Sequence, residues 1–138
     1  MTKILVVEDE DHVRQVVALT LMGEGYQIVE AVHGLMGYNK AVSEHPQLIV
    51  MDLNMPVMDG LEALSKLKGN PETAKIPVII LTARIDAASE RQCMQAGAVD
   101  YIKKPWGKQE LEDRVAMALN NPLDLEYEYR VSNYRIEE

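Results

Sequence analysis

The segment LIVMDLNMPVMDG, from Leu48 to Gly60, constrains the fold more than any other part of the chain. Its first four residues, Leu48 to Met51, are all apolar, which is typical of a strand buried on both faces of a parallel sheet. The strand ends at a carboxylate, Asp52. Ligands of open α/β sheets bind at the carboxyl ends of the strands, so Asp52 is predicted to face a ligand. Pro56 and Gly60 predict a turn before the next helix.

The same alternation of a short apolar run and a helical pattern occurs five times along the chain. This pattern predicts a doubly wound parallel sheet with helices on both faces and right-handed crossovers. Val16, Val17, Thr20 and Leu21 are the expected inward positions of the first helix, and Asp59 is expected to cap the third. The predicted strands are Lys3 to Val7, Gln27 to Ala31, Leu48 to Met51, Val78 to Leu81, and Tyr101 to Ile102. The predicted helices begin near Val13, Gly34, Leu61, Ala87 and Leu111.

Composition excludes several classes of protein. The chain has 138 residues, of which 47% are hydrophobic, enough for one domain with a complete core. A net charge of -8 argues against direct binding of nucleic acid, which needs clustered Lys and Arg. No apolar run is long enough to span a membrane, and the start, MTKILVV, lacks the apolar region and cleavage site of a signal peptide, so a cytoplasmic location without membrane contact is expected. Cys93 is the only cysteine and is expected to be buried.

Groups with complementary chemistry follow four of the predicted strands. The ends of these strands carry Glu8 with Asp9, Asp52, Thr82 and Lys104. Carboxylates that lie close together repel one another, and a bound cation relieves that repulsion. Magnesium is usually held by one or two carboxylates together with phosphate oxygens. An aspartate can also form an aspartyl phosphate, whose charge a lysine and a hydroxyl would stabilise.

Four motifs resemble those of a known family, the receiver domain of two-component response regulators, also called the CheY-like family. They are VVEDE near the start, MDLNMPVMDG in the middle, LTA, and DYIKKP. The resemblance covers residues Thr2 to Asn120, and the motifs agree in order and spacing. It implies a flavodoxin-like (βα)5 fold with strand order 2-1-3-4-5, for which the CheY-like family is itself a standard example.

The resemblance also implies roles for the residues at the strand ends. Asp52 is implied to be the phosphoacceptor in the presence of Mg2+, for which Mn2+ could substitute. Thr82 and Lys104 are implied to contact the phosphoryl group. Glu8 stands where the family often has Asp, and its longer side chain changes the surroundings of the metal. The implied metal ligands are Asp9, Asp52, the backbone carbonyl of Asn54 and, through water, Glu8.

A conformational switch is implied as well. Thr82 would move toward the phosphoryl group, and Tyr101 would turn inward to fill the space that it leaves. The surface around the fourth helix, the last strand and the last helix would then change. The peptide bond between Lys104 and Pro105 is implied to be cis. The expected output face includes Tyr101, Lys103 and Trp106, and Trp106 is expected to add exposed aromatic area where the family commonly has Phe.

We expect a receiver domain at 1–121 and a C-terminal tail at 122–138. In the tail, Leu123, Leu125, Tyr127, Tyr129 and Val131 alternate with charged residues, which is typical of a strand, although Leu123, Tyr127, Val131 and Tyr134 also fit one helix face. A disordered acidic tail is a third interpretation. Because the tail is rich in tyrosine, our hypothesis is that it packs on its own domain or on a second copy, which would give a homodimer.

The combined interpretation is a stand-alone receiver that takes a phosphoryl group from a histidine kinase or histidine phosphotransfer protein onto Asp52. It would then bind a protein target through its altered surface. Such a protein is not an enzyme, because it assists only its own phosphorylation and dephosphorylation. The alternatives are a phosphorelay carrier and the N-terminal part of a longer transcriptional regulator. A phosphatase of the haloacid dehalogenase type is disfavoured because Asn54 stands where that family needs a second aspartate.

Overall fold

The computed structural model describes residues 1–120, so the tail predicted at 122–138 lies outside the described residues. Within these residues, five strands alternate with five helices. The strands are β1 (Lys3–Val7), β2 (Gln27–Ala31), β3 (Leu48–Met51), β4 (Val78–Thr82) and β5 (Asp100–Lys103). The helices are α1 (Asp11–Gly23), α2 (Gly34–Glu44), α3 (Gly60–Gly69), α4 (Ala87–Gln95) and α5 (Lys108–Asn120). None of these helices is long and apolar enough to cross a membrane.

All neighbouring strands are parallel, and their order in the sheet is β2-β1-β3-β4-β5. This confirms the predicted flavodoxin-like order. The register places Val7 of β1 beside Met51 of β3, so Glu8 and Asp52 leave adjacent strands at the same level. On the other side of β3, Thr82 of β4 lies beside Lys103 of β5. The sheet therefore brings Glu8, Asp52, Thr82 and Lys104 together at the carboxyl ends of its strands.

The core has two layers because the central strands β1, β3 and β4 are buried on both faces. Alternate residues of β1 separate: Leu5 and Val7 pack with α2, α3 and α4. Ile4 and Val6 pack on the opposite face with α1 and α5. This double burial is the reason that these three central strands are almost continuously apolar in the sequence.

The buried face of α1 confirms the predicted inward positions Val17 and Leu21 but differs from the prediction at Val16. The helix buries Val17, Ala18 and Leu21, whereas Val16 is 41% exposed. Helical geometry explains the difference, since Val17 and Leu21 lie one turn apart, four residues along the chain, whereas Val16 lies a quarter of a turn to one side. The helix also begins at Asp11, earlier than the apolar pattern alone indicates.

Two glycines allow the loop between β3 and α3 to pack tightly beneath Asp52. A Cβ atom at Gly60 would overlap the Asp52 carbonyl, and one at Gly34 would overlap the Met58 carbonyl. The Gly34 amide donates to that Met58 carbonyl at 3.2 Å. At the end of the loop, the Asp59 side chain accepts from the Glu62 amide at 2.9 Å, which confirms the predicted cap. The loop is therefore held to both α2 and α3.

Val57 is the strained residue of this loop. Its φ of 69° lies in the left-handed region, and its side chain is 73% exposed. The left-handed region costs an ordinary residue about 1–2 kcal/mol, and a β-branched residue is rarely found there. We therefore expect Val57→Gly to stabilise the domain. The relief of strain exceeds the roughly 0.5–1 kcal/mol lost because glycine makes the unfolded chain more flexible.

The expected net gain is about 0.5–1 kcal/mol in the free energy of unfolding, measured by urea denaturation. Val32→Gly is the matched control, because Val32 is another exposed loop valine but lacks a positive φ. That control should lose stability. If Val57→Gly were no more stable than the native chain, the backbone strain inferred at Val57 would be contradicted.

Candidate functional site

Three carboxylates converge at the carboxyl edge of the sheet. Glu8 and Asp9 follow β1 and Asp52 follows β3, and each offers an oxygen within 4.8 Å of the others. Glu8 and Asp52 are 4% and 6% exposed, whereas Asp9 is exposed. The Asp52 Oδ1 atom accepts from the Leu53 amide at 2.7 Å, which fixes its orientation. Two nearly buried carboxylates thus share one small space with a third at its rim.

Lys104 supplies the positive charge that faces this cluster. Its Nζ atom lies 3.1 Å from Glu8 Oε1 and 3.6 Å from Asp52 Oδ2. Its backbone amide donates to the Thr82 carbonyl at 2.9 Å, and the peptide bond to Pro105 is cis, as the resemblance implied. The loop after β5 therefore places the lysine between the ends of β1 and β3.

Burial and mutual repulsion change the titration of these groups. Burial, followed by the charge of Asp52, raises the pKa of Glu8 to about 7. Burial acts to lower the pKa of Lys104, but the charge of Asp52 and the hydrogen bond to Glu8 outweigh it and raise that pKa. Lys104 therefore stays positively charged at neutral pH, while Glu8 is near the midpoint of its titration.

A chain of hydrogen bonds joins the loops that follow β3 and β4. Thr82 is wholly buried, and its hydroxyl oxygen accepts from the Arg84 amide at 3.3 Å. The Arg84 Nε atom donates to Asn54 Oδ1 at 2.8 Å. Asn54 lies two residues beyond Asp52, so Arg84 connects the loop that carries Thr82 to the loop beside the carboxylates.

Tyr101 points into the protein rather than onto its surface. Its ring is wholly buried, and its hydroxyl donates to the Arg84 carbonyl at 2.9 Å. The inward position that we expected after phosphorylation is thus present in this structure. Of the other residues expected on the output face, Lys103 is half-buried and pairs with Glu90 at 3.2 Å. Trp106 is also half-buried and packs against the α1 and α5 core, so it adds less exposed area than expected.

Arg14 is a neighbour of the carboxylate cluster that was not predicted from the sequence. Its Nη1 atom donates to the Glu8 backbone carbonyl at 2.9 Å, and its other nitrogens pair with Asp11 and Glu30. The guanidinium therefore anchors the turn that carries Glu8 and Asp9. The sequence does contain a signal for the ion pair with Asp11. Arg14 lies three residues after Asp11 on the first turn of α1, and oppositely charged residues at this spacing lie side by side on a helix.

The residues present fit a hard divalent cation. Carboxylate and carbonyl oxygens are the ligands that Mg2+ prefers, and one or two carboxylates suffice when phosphate and water supply the rest. Asp9 and Asp52 provide two carboxylates, and the exposed side of the cluster lies at Asp9. Asn54, whose carbonyl is the third expected ligand, lies in the adjoining loop. The buried Glu8 is engaged by Lys104, which agrees with an indirect role at the metal.

Comparisons with known proteins agree on one family. Residues 4–116 match the family described as the response regulator receiver domain. The chain is 37% identical over 119 residues to the KDP operon transcriptional regulatory protein KdpE of Escherichia coli K12, covering 86% of this chain and 52% of KdpE. It is 35% identical over 119 residues to the DNA-binding regulator RpaA of Synechocystis, covering 86% and 49% of the two chains. The chain thus spans about half the length of these curated relatives.

Solved structures show the same fold. The chemotaxis protein CheY4 of Vibrio cholerae is 28% identical with a TM-score of 0.81, covering 86% of this chain and 98% of CheY4. The receiver domain of the sensor histidine kinase PA1611 of Pseudomonas aeruginosa is 28% identical with a TM-score of 0.81, covering 87% and 98%. That neighbour contains a magnesium ion in its active site cleft.

The raised pKa of Glu8 gives a testable pH dependence. A group whose pKa is higher in the folded state than in the unfolded state binds its proton more tightly when folded. Its contribution to stability is therefore complete below about pH 4.5 and is lost as the pH rises through about 7. In EDTA, we expect the native chain to lose roughly 2–3 kcal/mol relative to Glu8→Gln between pH 4.5 and pH 8.

The measurement is urea unfolding of both chains across this pH range. Glu30→Gln is the matched control, since Glu30 is an exposed glutamate at the same edge of the sheet that pairs with Arg14. This control should follow the native pH dependence. Parallel curves for the native chain and Glu8→Gln would show that Glu8 does not titrate in this range.

Proposed function

This chain belongs to the response regulator receiver domain family, and from that premise we propose that it accepts a phosphoryl group on Asp52 from a phosphohistidine donor. The donor is a histidine kinase or a histidine phosphotransfer protein. Phosphorylation changes the surface formed by α4, β5 and α5, and a protein target binds the changed surface. The observation that carries this proposal is the convergence of Asp52 with Asp9, Glu8 and Lys104 at one edge of the sheet.

The transfer step needs a nucleophile with a free oxygen. A carboxylate oxygen of Asp52 attacks the phosphorus of the phosphohistidine, a new P–O bond forms, and the P–N bond to the imidazole breaks. The electron pair of that bond leaves with the imidazole nitrogen. Asp52 Oδ1 is held by the Leu53 amide, whereas Oδ2 faces Lys104 and is the better placed nucleophile.

Lys104 and Thr82 stabilise the charge that the phosphoryl group brings. The Lys104 ammonium lies 3.6 Å from Asp52 Oδ2, so it lies beside the position of the transferred oxygens. Thr82 ends β4 next to β3 and offers a hydroxyl from its buried side chain. A Mg2+ ion would neutralise further charge on the phosphoryl oxygens. Its ligands would be Asp9, Asp52 and the Asn54 carbonyl, and Glu8 would contact it through water.

The switch that we propose connects Thr82 to Tyr101 through Arg84. Arg84 accepts from the Tyr101 hydroxyl through its carbonyl and donates to the Thr82 hydroxyl oxygen through its amide. A Thr82 hydroxyl drawn to a phosphoryl group would release the Arg84 amide and change the loop before α4. Tyr101 already points inward in this structure. Phosphorylation therefore acts by altering the loop to which the Tyr101 hydroxyl is hydrogen-bonded.

The protein is not an enzyme in this proposal, because only its own Asp52 is modified. Two related functions differ in the fate of the phosphoryl group or in the length of the protein. A phosphorelay carrier would pass the group to another histidine. The N-terminal part of a longer transcriptional regulator is supported by one observation, since the curated relatives are about twice as long as the matched segment.

Intact mass after incubation with acetyl phosphate tests the central step. We expect one added phosphoryl group on the native chain in the presence of Mg2+, and none in EDTA. Asp52→Asn should show no addition under either condition. Asp59→Asn is the matched control, since Asp59 is an exposed aspartate in the same loop that caps α3. It should be phosphorylated like the native chain, and absence of any addition to the native chain would refute the proposal.

The switch is tested separately from the chemistry with Thr82→Ala. This variant keeps Asp52 and Lys104, so we expect phosphorylation but at least a fivefold smaller phosphorylation-dependent change in amide hydrogen exchange at residues 83–87. Thr82→Ser restores a hydroxyl at the same position and should restore the change. A full exchange response in Thr82→Ala would exclude Thr82 from the switch.

A further inference from the structure

Arg14 contacts three different parts of the chain close to the carboxylate cluster. Its Nη1 atom donates to the Glu8 carbonyl at 2.9 Å. Its Nη2 atom lies 2.6 Å from Asp11 Oδ1, and its Nε atom lies 3.0 Å from Glu30 Oε1. The side chain is 12% exposed. The guanidinium therefore has a fixed position between the turn after β1, the start of α1 and strand β2.

Hydrogen bonds fix the peptide units on both sides of Asp9. The unit between Glu8 and Asp9 carries the carbonyl that Arg14 binds. The unit between Asp9 and Glu10 carries the Glu10 amide, which donates to Glu8 Oε2 at 3.2 Å. Because a peptide unit is planar, the direction of the Glu8 carbonyl constrains where the Asp9 side chain leaves the turn. Arg14 therefore acts on the orientation of Asp9 without touching its carboxylate.

Asp9 depends on its backbone more than the other two carboxylates do. The Glu8 side chain is held by Lys104, and the Asp52 side chain is held by the amide that follows it. Within the described part of the chain, no hydrogen bond or ion pair holds the exposed Asp9 carboxylate. Its place within 4.8 Å of the other two is therefore set by the turn after β1.

We infer that Arg14 is a positioning residue for Mg2+. By holding the Glu8 carbonyl, it keeps the Asp9 carboxylate directed toward Asp52 before the ion binds. Groups that orient metal ligands without touching the metal commonly change the affinity for the metal by roughly 10- to 100-fold. This role rests on the proposed function, because it takes Mg2+ as the ion that Asp9 and Asp52 hold.

The charge of Arg14 has the opposite effect on Mg2+. The hydrogen bond to Asp11 raises the pKa of Arg14, so the side chain stays charged and repels a second cation. Asp11 and Glu30 neutralise much of that charge, and both are exposed to water, which weakens the repulsion further. The loss of positioning should therefore outweigh the loss of repulsion when Arg14 is replaced. The direction of the change in affinity distinguishes the two effects.

Titration of the full chain with MgCl2, followed by amide NMR spectra without any phosphodonor, tests this role. We expect Arg14→Gln to bind Mg2+ about tenfold more weakly than the native chain. Arg14→Lys keeps the charge, but an ammonium lacks the planar fork that contacts three groups at once, so it should bind at least threefold more weakly. The same spectra show whether each variant is folded, and Arg14→Lys supplies the comparison if Arg14→Gln is unfolded.

Lys40→Gln is the matched control. The Lys40 Nζ atom donates to the Glu30 carbonyl at 2.6 Å, so Lys40 is a second cation bound to the residue that Arg14 contacts. Its replacement removes one positive charge from the same region but leaves the bond between Arg14 and the Glu8 carbonyl. The Mg2+ dissociation constant of this control should stay within twofold of the native value.

The rate of phosphorylation by acetyl phosphate at varied Mg2+ concentration gives a second readout. Arg14→Gln should need about tenfold more Mg2+ to reach half of its maximal rate, while the maximal rate itself stays within twofold of the native rate. General damage to the site would lower the maximal rate instead. A native chain that binds Mg2+ but is not phosphorylated would refute the proposed function, and the NMR titration would still decide the role of Arg14.

Three results would exclude Arg14 as a positioning residue. Folded Arg14→Gln could bind Mg2+ as tightly as the native chain or more tightly, which would mean that charge is its main effect. Lys40→Gln could lose as much affinity as Arg14→Gln, which would assign the effect to the contacts of Glu30 rather than to the bond with Glu8. The native chain could also fail to bind Mg2+ at all, which would leave no ion for Arg14 to act on.

Discussion

The repulsion between Glu8 and Asp52 is the interaction on which the rest of the site depends. Two nearly buried carboxylates at adjacent strand ends are costly unless a cation accompanies them. Lys104 partly fills that role, but its Nζ atom lies closer to Glu8, at 3.1 Å, than to Asp52, at 3.6 Å. The site therefore has spare negative charge for a divalent ion, and Asp52 is the carboxylate that Lys104 engages less closely.

The backbone around Asp52 holds this unfavourable arrangement in place. The Asp52 amide donates to the Val7 carbonyl at 3.1 Å, and the Gly60 amide donates to the Leu53 carbonyl at 2.9 Å. Each of these bonds ties the strand end to a neighbouring element, and Gly60 approaches so closely that a side chain there would strike the Asp52 carbonyl. The energy of a completed two-layer core thus supports a carboxylate cluster that would repel itself in a flexible loop.

Local signals in the sequence were enough to predict most of the fold. Continuous apolar runs predicted the alternation of strands and helices, and the motifs around Asp52 and Lys104 predicted the strand order and the groups at the strand ends. The orientation of Tyr101 was not predictable, since it depends on the Arg84 carbonyl of a different loop. The exposure of Val16 was not predicted, because single apolar positions do not determine how a helix is rotated about its own axis. Nor does any local pattern reveal that Arg114 is wholly buried, because its ion-pair partner Asp100 lies on a different element, β5.

The two ends of β5 connect the chemistry to the surface. At the carboxyl end, Lys104 faces Asp52, while at the amino end Asp100 contacts Arg114 of α5. Tyr101 lies between them, with its hydroxyl on the Arg84 carbonyl and its own carbonyl 3.5 Å from the Arg114 Nη1 atom. In the proposed switch, a shift of the Arg84 loop would reach α5 through one short strand, because Tyr101 is hydrogen-bonded to the Arg84 carbonyl and β5 is paired with β4 along its whole length.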